Sequence, residues 1–249
     1  MEGIAPATQR RPVGRLRKTL AIVFTLAFAA AAALAAGAAY AYVRLPDLRA
    51  LPQMVRQQLQ AHHSRWVPVQ AVAPSFIRAL LATEDATFWT NPGVSFEGIA
   101  RSVLVDIASG RFVEGGSTLT QQLVRDELLG LQKTVPRKLE EMVLAIALTR
   151  LDPKREILAL YLNEVYLGHG AYGIYAASEA YFGRTPAELT PAQGTLLAGL
   201  PAAPSYYDPI ANPEGAKERQ VQVVAAMEHA GVLTAQQGRA ILKAPWGLR

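Results

Sequence analysis

A run of 25 residues without a charged side chain, from Thr19 to Val43, most constrains how this chain can fold. At about 1.5 Å per residue, a helix of that length spans the roughly 30 Å hydrocarbon core of a bilayer. Five Lys and Arg residues within 1–18 precede it, which predicts a cytoplasmic N-terminus. A cleaved signal peptide is the alternative, but its apolar part is typically only about 7–15 residues. We therefore predict a basic tail (1–18) and an uncleaved transmembrane anchor (19–43), with the rest of the chain outside the cytoplasm.

Charge and cysteine content narrow the kinds of site that the chain can carry. The 249 residues include 25 Lys and Arg and 20 Asp and Glu, but the basic tail holds five of these cations and one acid. Residues 19–249 therefore have a net charge of only +1, which gives little support to nucleic-acid binding by the folded part. The chain has no cysteine, so it forms neither a disulfide nor a thiolate metal site.

The remainder of the chain divides into a short connector and one helical domain. Prolines interrupt residues 44–70, which are predicted to form a juxtamembrane connector with a short helix at 51–60. Beyond it, apolar residues recur at helical spacing and strand patterns are scarce, which predicts a mainly α domain over 71–249. Asp152 and Thr190, each followed by proline, are predicted to cap the helices that begin there.

A carboxylate continues the apolar stripe of the first predicted helix of this domain. Ile77, Leu80, Leu81 and Glu84 fall at i, i+3, i+4 and i+7, so they share one helix face. A glutamate in such a position lies either at the mouth of a cleft or at a solvated helix end. The residue pattern alone favours the solvated end.

The segment GGSTLTQQLVRD (115–126) combines a glycine pair, two small hydroxyls and the start of a helix. Gly115 and Gly116 permit the close approach of a ligand, and Ser117 or Thr118 can cap the helix. These features together form a common anion-binding arrangement. The same residues also suit an ordinary loop and cap, and the pattern favours neither.

A further helix is predicted to begin at about Pro136, in whose first turn proline is favoured. Its predicted buried stripe consists of Leu139, Met142, Val143 and Ile146. On another face, Arg137 and Lys138 stand four and three residues before Glu141, the spacing of helix ion pairs. Such sets are usually solvated, so this pattern alone predicts no site.

Five segments, in order, resemble the motifs of the peptidoglycan glycosyltransferases, family 51 of the glycosyltransferases, which polymerise the bacterial wall precursor lipid II. The segments are EDATFWTNPG (84–93), GGSTLTQQLVRD (115–126), RKLEE (137–141), KREILALYLN (154–163) and RQVQVVAAM (219–227). The resemblance covers about residues 70–230, and the second and fourth segments are long and specific. Because the chain stops at Arg249, it resembles the monofunctional form, without a transpeptidase domain.

The resemblance implies a lysozyme-like α fold with a cleft that faces the membrane. It also implies a single-pass protein of the bacterial inner membrane, with its catalytic domain on the periplasmic side. The implied partners are lipid II, the growing glycan strand and other wall-synthesis proteins, and nucleic acid is not among them. A divalent cation, Mg²⁺ or Mn²⁺, is the candidate cofactor, and no organic cofactor is implied.

The resemblance also implies roles for matched residues. Glu84 would be the general base that takes the proton of the acceptor 4-hydroxyl, whose oxygen inverts the donor anomeric carbon and expels undecaprenyl diphosphate. Glu141 would assist the leaving group, and is the candidate metal ligand. The substrate-binding candidates are Asp85, Phe88, Asn91, Gly116, Ser117, Thr118, Gln121, Gln122, Arg125, Arg137, Lys138, Lys154 and Asn163.

Among these candidate residues, the cations are the ones that the departure of a diphosphate requires. A leaving diphosphate gains negative charge as its bond breaks, so cations fixed beforehand lower the barrier. Arg125, Arg137, Lys138 and Lys154 are the candidates, with Lys133 in addition. A guanidinium can hold phosphate oxygens in pairs, whereas lysine acts as a point charge.

Two residues depart from the family pattern. Asn91 stands where relatives usually have His, so any proton or charge role of that histidine is lost. Asp126 stands where they usually have Asn, and adds a negative charge beside Arg125. These departures leave open a non-catalytic scaffold of the wall-synthesis machinery. A wall-cleaving enzyme is the other alternative, because paired carboxylates also hydrolyse glycosidic bonds, although hydrolysis needs no cation cluster.

Overall fold

The computed structural model describes residues 46–99, 116–130, 132 and 134–249, together with 21–25, 28–29, 31–32 and 35–37. Within these residues, no helix is both long and apolar enough to cross a bilayer. The predicted tail at 1–18, much of the predicted anchor, Gly115 and Lys133 lie outside the described residues.

Helices dominate the described chain, as the sequence predicts, and we number them in chain order. They are α1 (Leu51–Ala61), α2 (Pro74–Glu84), α3 (Leu119–Val124), α4 (Val135–Leu151), α5 (Lys154–Glu164), α6 (Gly173–Phe182), α7 (Pro191–Gly199), α8 (Pro213–His229) and α9 (Ala235–Lys243). A π-helical segment, Arg125–Leu129, continues α3, and residues 96–99 are also helical. No strand is found in these ranges, where Tyr166 and Tyr172 form an isolated β-bridge.

Polar caps fix several helix starts. The Thr118 side chain accepts a hydrogen bond from the Gln121 N–H, and the Gln121 side chain accepts one from the Thr118 N–H. Thr190 caps α7 in the same reciprocal way, as predicted. The predicted Asp152 cap is wrong, because Asp152 ends α4, with its N–H bonded to the Leu148 carbonyl, and Pro153 precedes α5 without a side-chain cap.

Two groups of helices build the core that positions the site. Helices α2, α7 and α8 pack on one another, and α3 packs against α4 and α5. Gly194 on α7 permits one close approach, since a Cβ there would lie 2.9 Å from the Phe76 amide nitrogen of α2. From the stretch predicted as a connector, α1 packs on α5 and buries Leu51 and Val55 in the main core.

The buried face of α4 differs from the predicted one. Leu139, predicted to be buried, is 38% exposed, whereas the buried residues of α4 are Glu141, Leu144, Ala145 and Leu148. These lie at i, i+3, i+4 and i+7, so the helical period was right but its phase was wrong. The buried stripe begins with a carboxylate because the charge of Glu141 is paired inside the protein. A pattern of apolar residues cannot predict the burial of a charged side chain.

Gly93 holds the turn that follows α2 against α4. Its φ is +103°, and a Cβ there would lie 2.3 Å from the Ala145 carbonyl oxygen. We expect Gly93→Ala to lower the free energy of unfolding by about 3 kcal/mol, because the strained backbone and the contact with α4 both oppose a side chain. Urea denaturation of the full chain in detergent measures this loss.

Gly170→Ala is the matched control for that substitution. Gly170 also has a left-handed φ, +70°, but nothing lies within 4 Å of its Cβ position. Only the backbone penalty then applies, about 1 kcal/mol. Equal losses in the two variants would show that the contact with α4 contributes nothing.

Candidate active site

Glu84 is the last residue of α2, and it is held by two other helices. Its side chain is 12% exposed. Gln122 of α3 donates from Nε2 to one carboxylate oxygen at 3.0 Å, and Arg219 of α8 donates from Nη2 to the other at 3.2 Å. The helix ends at Glu84 as the solvated-end alternative assumed, but the carboxylate is largely buried and paired.

Arg219 is a site residue to which the sequence analysis gave no role. Its Nε donates to the Gly199 carbonyl, its Nη1 donates to Gln222, and its guanidinium lies 5.7 Å from the centre of the Tyr207 ring. These contacts hold the Arg219 guanidinium in place beside Glu84. Its place at the head of the segment RQVQVVAAM was the available signal, but the partner, 135 residues away, could not be read from spacing.

A buried network surrounds Asp85, directly after α2. One carboxylate oxygen accepts from the Asn91 amide at 2.8 Å, and the other accepts from the Leu119 N–H at 3.1 Å. Burial raises the pKa of Asp85 above its usual value, while these hydrogen bonds and the charge of Lys154 oppose the shift. Asp85 thus ties the end of α2 to the start of α3.

Asn91 joins this carboxylate to a cation. Its amide oxygen accepts from Lys154 Nζ at 2.8 Å and from the Gly93 N–H at 3.0 Å. Lys154 Nζ also lies 4.7 Å from the centre of the Phe88 ring. An amide has both a donor and an acceptor end, so Asn91 links Asp85 to Lys154 without a titratable ring. Four of the predicted candidates therefore meet here.

A second cluster surrounds Glu141, which is 1% exposed. Gln121 donates from Nε2 to Glu141 at 3.1 Å, Lys138 donates to the same oxygen, and Arg137 Nη1 lies 3.9 Å from the other oxygen. Lys138 also donates to Ser117 Oγ at 2.7 Å. The interpretation of this α4 face as solvated is therefore wrong for Glu141.

One turn of α3 connects the residues around Glu84 to those around Glu141. Consecutive residues of this turn, Gln121 and Gln122, bond to Glu141 and Glu84 respectively. The turn is held in place because Thr118 Oγ1 donates to the Gly93 carbonyl at 2.6 Å, and the Tyr161 hydroxyl donates to Gln122 Oε1 at 3.1 Å. Two acids that lie far apart in the chain are thereby brought to the same short helix.

The other candidates lie at different distances from these clusters. Gly116 is partly buried, two residues before the Thr118 cap. Arg125 pairs with Asp126. Asn163 lies away from the rest, nine residues beyond Lys154 and so about 13 Å along α5. Its amide bonds to both the N–H and the carbonyl of Val67, which braces the chain entering the domain.

The donor atoms around Glu141 do not fit a divalent cation held by the protein. In the part of the chain that the structure describes, no three His, Cys, Asp or Glu residues are grouped to hold a metal ion. The Glu141 carboxylate is already contacted by Lys138, Arg137 and Gln121. We therefore derive no catalytic step through a metal ion.

Enzymes that act at glycosidic bonds typically carry two carboxyl groups in one site, and Glu84 and Glu141 bond to adjacent residues of α3. Residues 52–228 match the family described as Transglycosylase. The chain belongs to the transglycosylase family.

Individual relatives agree with this assignment. Penicillin-binding protein 1A of Escherichia coli is 39% identical over 80% of this chain, and the "Putative transglycosylase" of Cupriavidus necator is 36% identical over 81% of it. The match covers 25% of the first protein and 87% of the second, so this chain spans about a quarter of the penicillin-binding relatives.

Among solved structures, a crystal structure of penicillin-binding protein 1A from Haemophilus influenzae is similar to 74% of this chain over 18% of its own, with 25% identity and a TM-score of 0.45.

Proposed function

We propose that this protein polymerises lipid II into β-1,4-linked glycan strands, with inversion at the donor anomeric carbon and release of undecaprenyl diphosphate. The observation that carries the proposal is the turn of α3 that bonds to both glutamates, each of which also has a cation beside it. Transfer of a glycosyl group from a diphosphate needs a base at one end and positive charge at the other.

Glu84 acts as the general base. Its carboxylate accepts the proton of the acceptor 4-hydroxyl, and that oxygen bonds to the donor anomeric carbon. The bond from this carbon to the diphosphate breaks at the same time, and its electron pair leaves with the diphosphate. Gln122 and Arg219 support this role because each fixes one carboxylate oxygen, and a positioned base is what lowers the barrier.

Positive charge at the leaving group comes from the chain itself. Lys138 is 43% exposed on its side chain although Glu141 beside it is buried, so its ammonium group can also meet a substrate oxygen. Arg125 and Lys154 add further cations. A cation that is already fixed in place needs no reorganisation when the diphosphate gains charge.

The proposal extends to location and partners. The apolar run 19–43 would anchor the chain in the bacterial inner membrane, with the domain on the periplasmic side, where the lipid carrier of the substrate lies. The growing strand and other wall-synthesis proteins would be its partners. A wall-cleaving enzyme is less well supported, because hydrolysis releases no diphosphate and does not need these cations.

The test is to incubate the detergent-solubilised full chain with labelled lipid II and to separate the products by size. We expect polymer, and we expect its rate to fall less than about threefold in EDTA, because the cations come from the protein. Soluble fragments from purified wall, without lipid II consumption, would instead support a cleaving enzyme. Binding without polymer, with activity appearing only in Asn91→His, would support a scaffold.

A further inference from the structure

Arg125 extends the face of α3 that bonds to Glu141. It lies four residues after Gln121, which bonds to Glu141, and residues four apart lie on the same side of a helix. Its N–H bonds to the Gln121 and Gln122 carbonyls, so Arg125 is still held to α3. The guanidinium is therefore placed one turn beyond Gln121, toward the same end of the site.

This guanidinium is bonded to the next residue of the chain. Arg125 Nε donates to one carboxylate oxygen of Asp126 at 2.6 Å, and Nη2 donates to the other at 2.9 Å. Consecutive side chains of an α-helix diverge and do not face each other. The pair forms where α3 gives way to the π-helical segment Arg125–Leu129, and such segments are frequent at functional sites.

The Arg125–Asp126 pair is accessible to solvent, and both carboxylate oxygens of Asp126 are bonded to the guanidinium. The side chains of Arg125 and Asp126 are 30% and 31% exposed, so an anion in solution can reach them. A carboxylate that accepts from two of the three guanidinium nitrogens has the geometry with which arginine holds phosphate. Burial alone would lower the pKa of Arg125, but its hydrogen bond and ion pair with Asp126 and the charge of Glu141 raise it, so the group stays a cation.

We propose that Asp126 is an internal competitor for the diphosphate: it holds the Arg125 guanidinium when the site is empty, yields it when a diphosphate enters, and reclaims it as the diphosphate leaves. The inference rests on the proposed function for the identity of the ligand. An aspartate at this position weakens the hold on both the substrate and the diphosphate product. It therefore favours product release at the expense of affinity.

The direct test is a binding measurement with inorganic pyrophosphate on the full chain in detergent, at low ionic strength. Asp126→Asn removes the competing charge, keeps the side-chain shape and frees the guanidinium. We expect pyrophosphate to bind this variant about five- to tenfold more tightly, because a bidentate ion pair no longer has to be broken. In an Arg125→Met background, the same change should alter binding less than about twofold.

Glu127→Gln is the matched control, since it removes one negative charge from the same π-helical segment. If Glu127→Gln tightens binding as much as Asp126→Asn does, the effect is general charge, and the proposal is overturned. It is also overturned if Asp126→Asn binds no more tightly than the original chain, or if its gain survives without Arg125. Tighter binding by Asp126→Asn that depends on Arg125, in a protein that makes no polymer, would reject the proposed function and retain the competitor.

Discussion

Glu84→Gln should yield a folded protein that has lost nearly all polymerisation of lipid II. The amide cannot accept the proton of the acceptor hydroxyl, and general-base catalysis is worth about 10²- to 10⁴-fold in rate. Gln122 and Arg219 would both lose their anionic partner. We expect the polymerisation rate to fall about 10³-fold, while the melting temperature changes by only a few degrees.

Glu179→Gln is a closely matched control for this substitution. Glu179 is also a paired glutamate on a helix, and its contact with Arg249 measures 3.2 Å, the same as the distance from Glu84 to Arg219. Its side chain is 51% exposed and it lies on α6. This variant should polymerise at the original rate. If Glu84→Gln retained more than about a tenth of the activity, Glu84 would not be the base.

Lys138→Met should damage both stability and catalysis. Glu141 would remain 1% exposed with Gln121 and a more distant Arg137 for partners. Breaking a buried ion pair costs about 3–5 kcal/mol. Because Lys138 is 43% exposed, screening reduces this to about 2 kcal/mol. Loss of a cation at the leaving group should also lower the polymerisation rate at least about 10²-fold, as followed by product size.

The double variant Lys138→Met with Glu141→Gln separates the two effects. A neutral amide removes the unpaired buried charge and can still accept the Gln121 hydrogen bond, so urea denaturation should show most of the lost stability restored. Polymerisation should stay low, because neither variant supplies the cation. Recovery of activity along with stability would mean that Lys138 only neutralises Glu141 and does nothing for the leaving group.

Much of the fold could be predicted from local chemistry. Helix α2 and the cap at Thr190 follow from spacing and from hydrogen bonds between near neighbours. The phase of α4 could not be predicted, because the burial of Glu141 depends on Gln121, twenty residues away. The cap at Asp152 failed for a different reason, since the end of one helix and the start of the next compete for that residue.

The site was predictable as a set of segments but not as a set of contacts. Motif resemblance named both glutamates and the residues around them. The ion pair between Arg219 and Glu84, and the amide bridge of Asn91 to Lys154, join residues 135 and 63 positions apart. No period of a helix or spacing of a motif links such residues, so only the packed chain reveals these partners.

Because Gln121 and Gln122 are adjacent, one turn of α3 connects the two residues to which we assign the two ends of the proposed reaction, Glu141 and Glu84. Neighbouring residues share the backbone of this turn, so a ligand that displaced Glu141 should also shift Gln122, which bonds to Glu84. In this way, a diphosphate bound near Glu141 would change the position of Glu84, which we propose accepts the proton of the acceptor hydroxyl. Substitutions within this turn should therefore affect the binding of the donor and of the acceptor together.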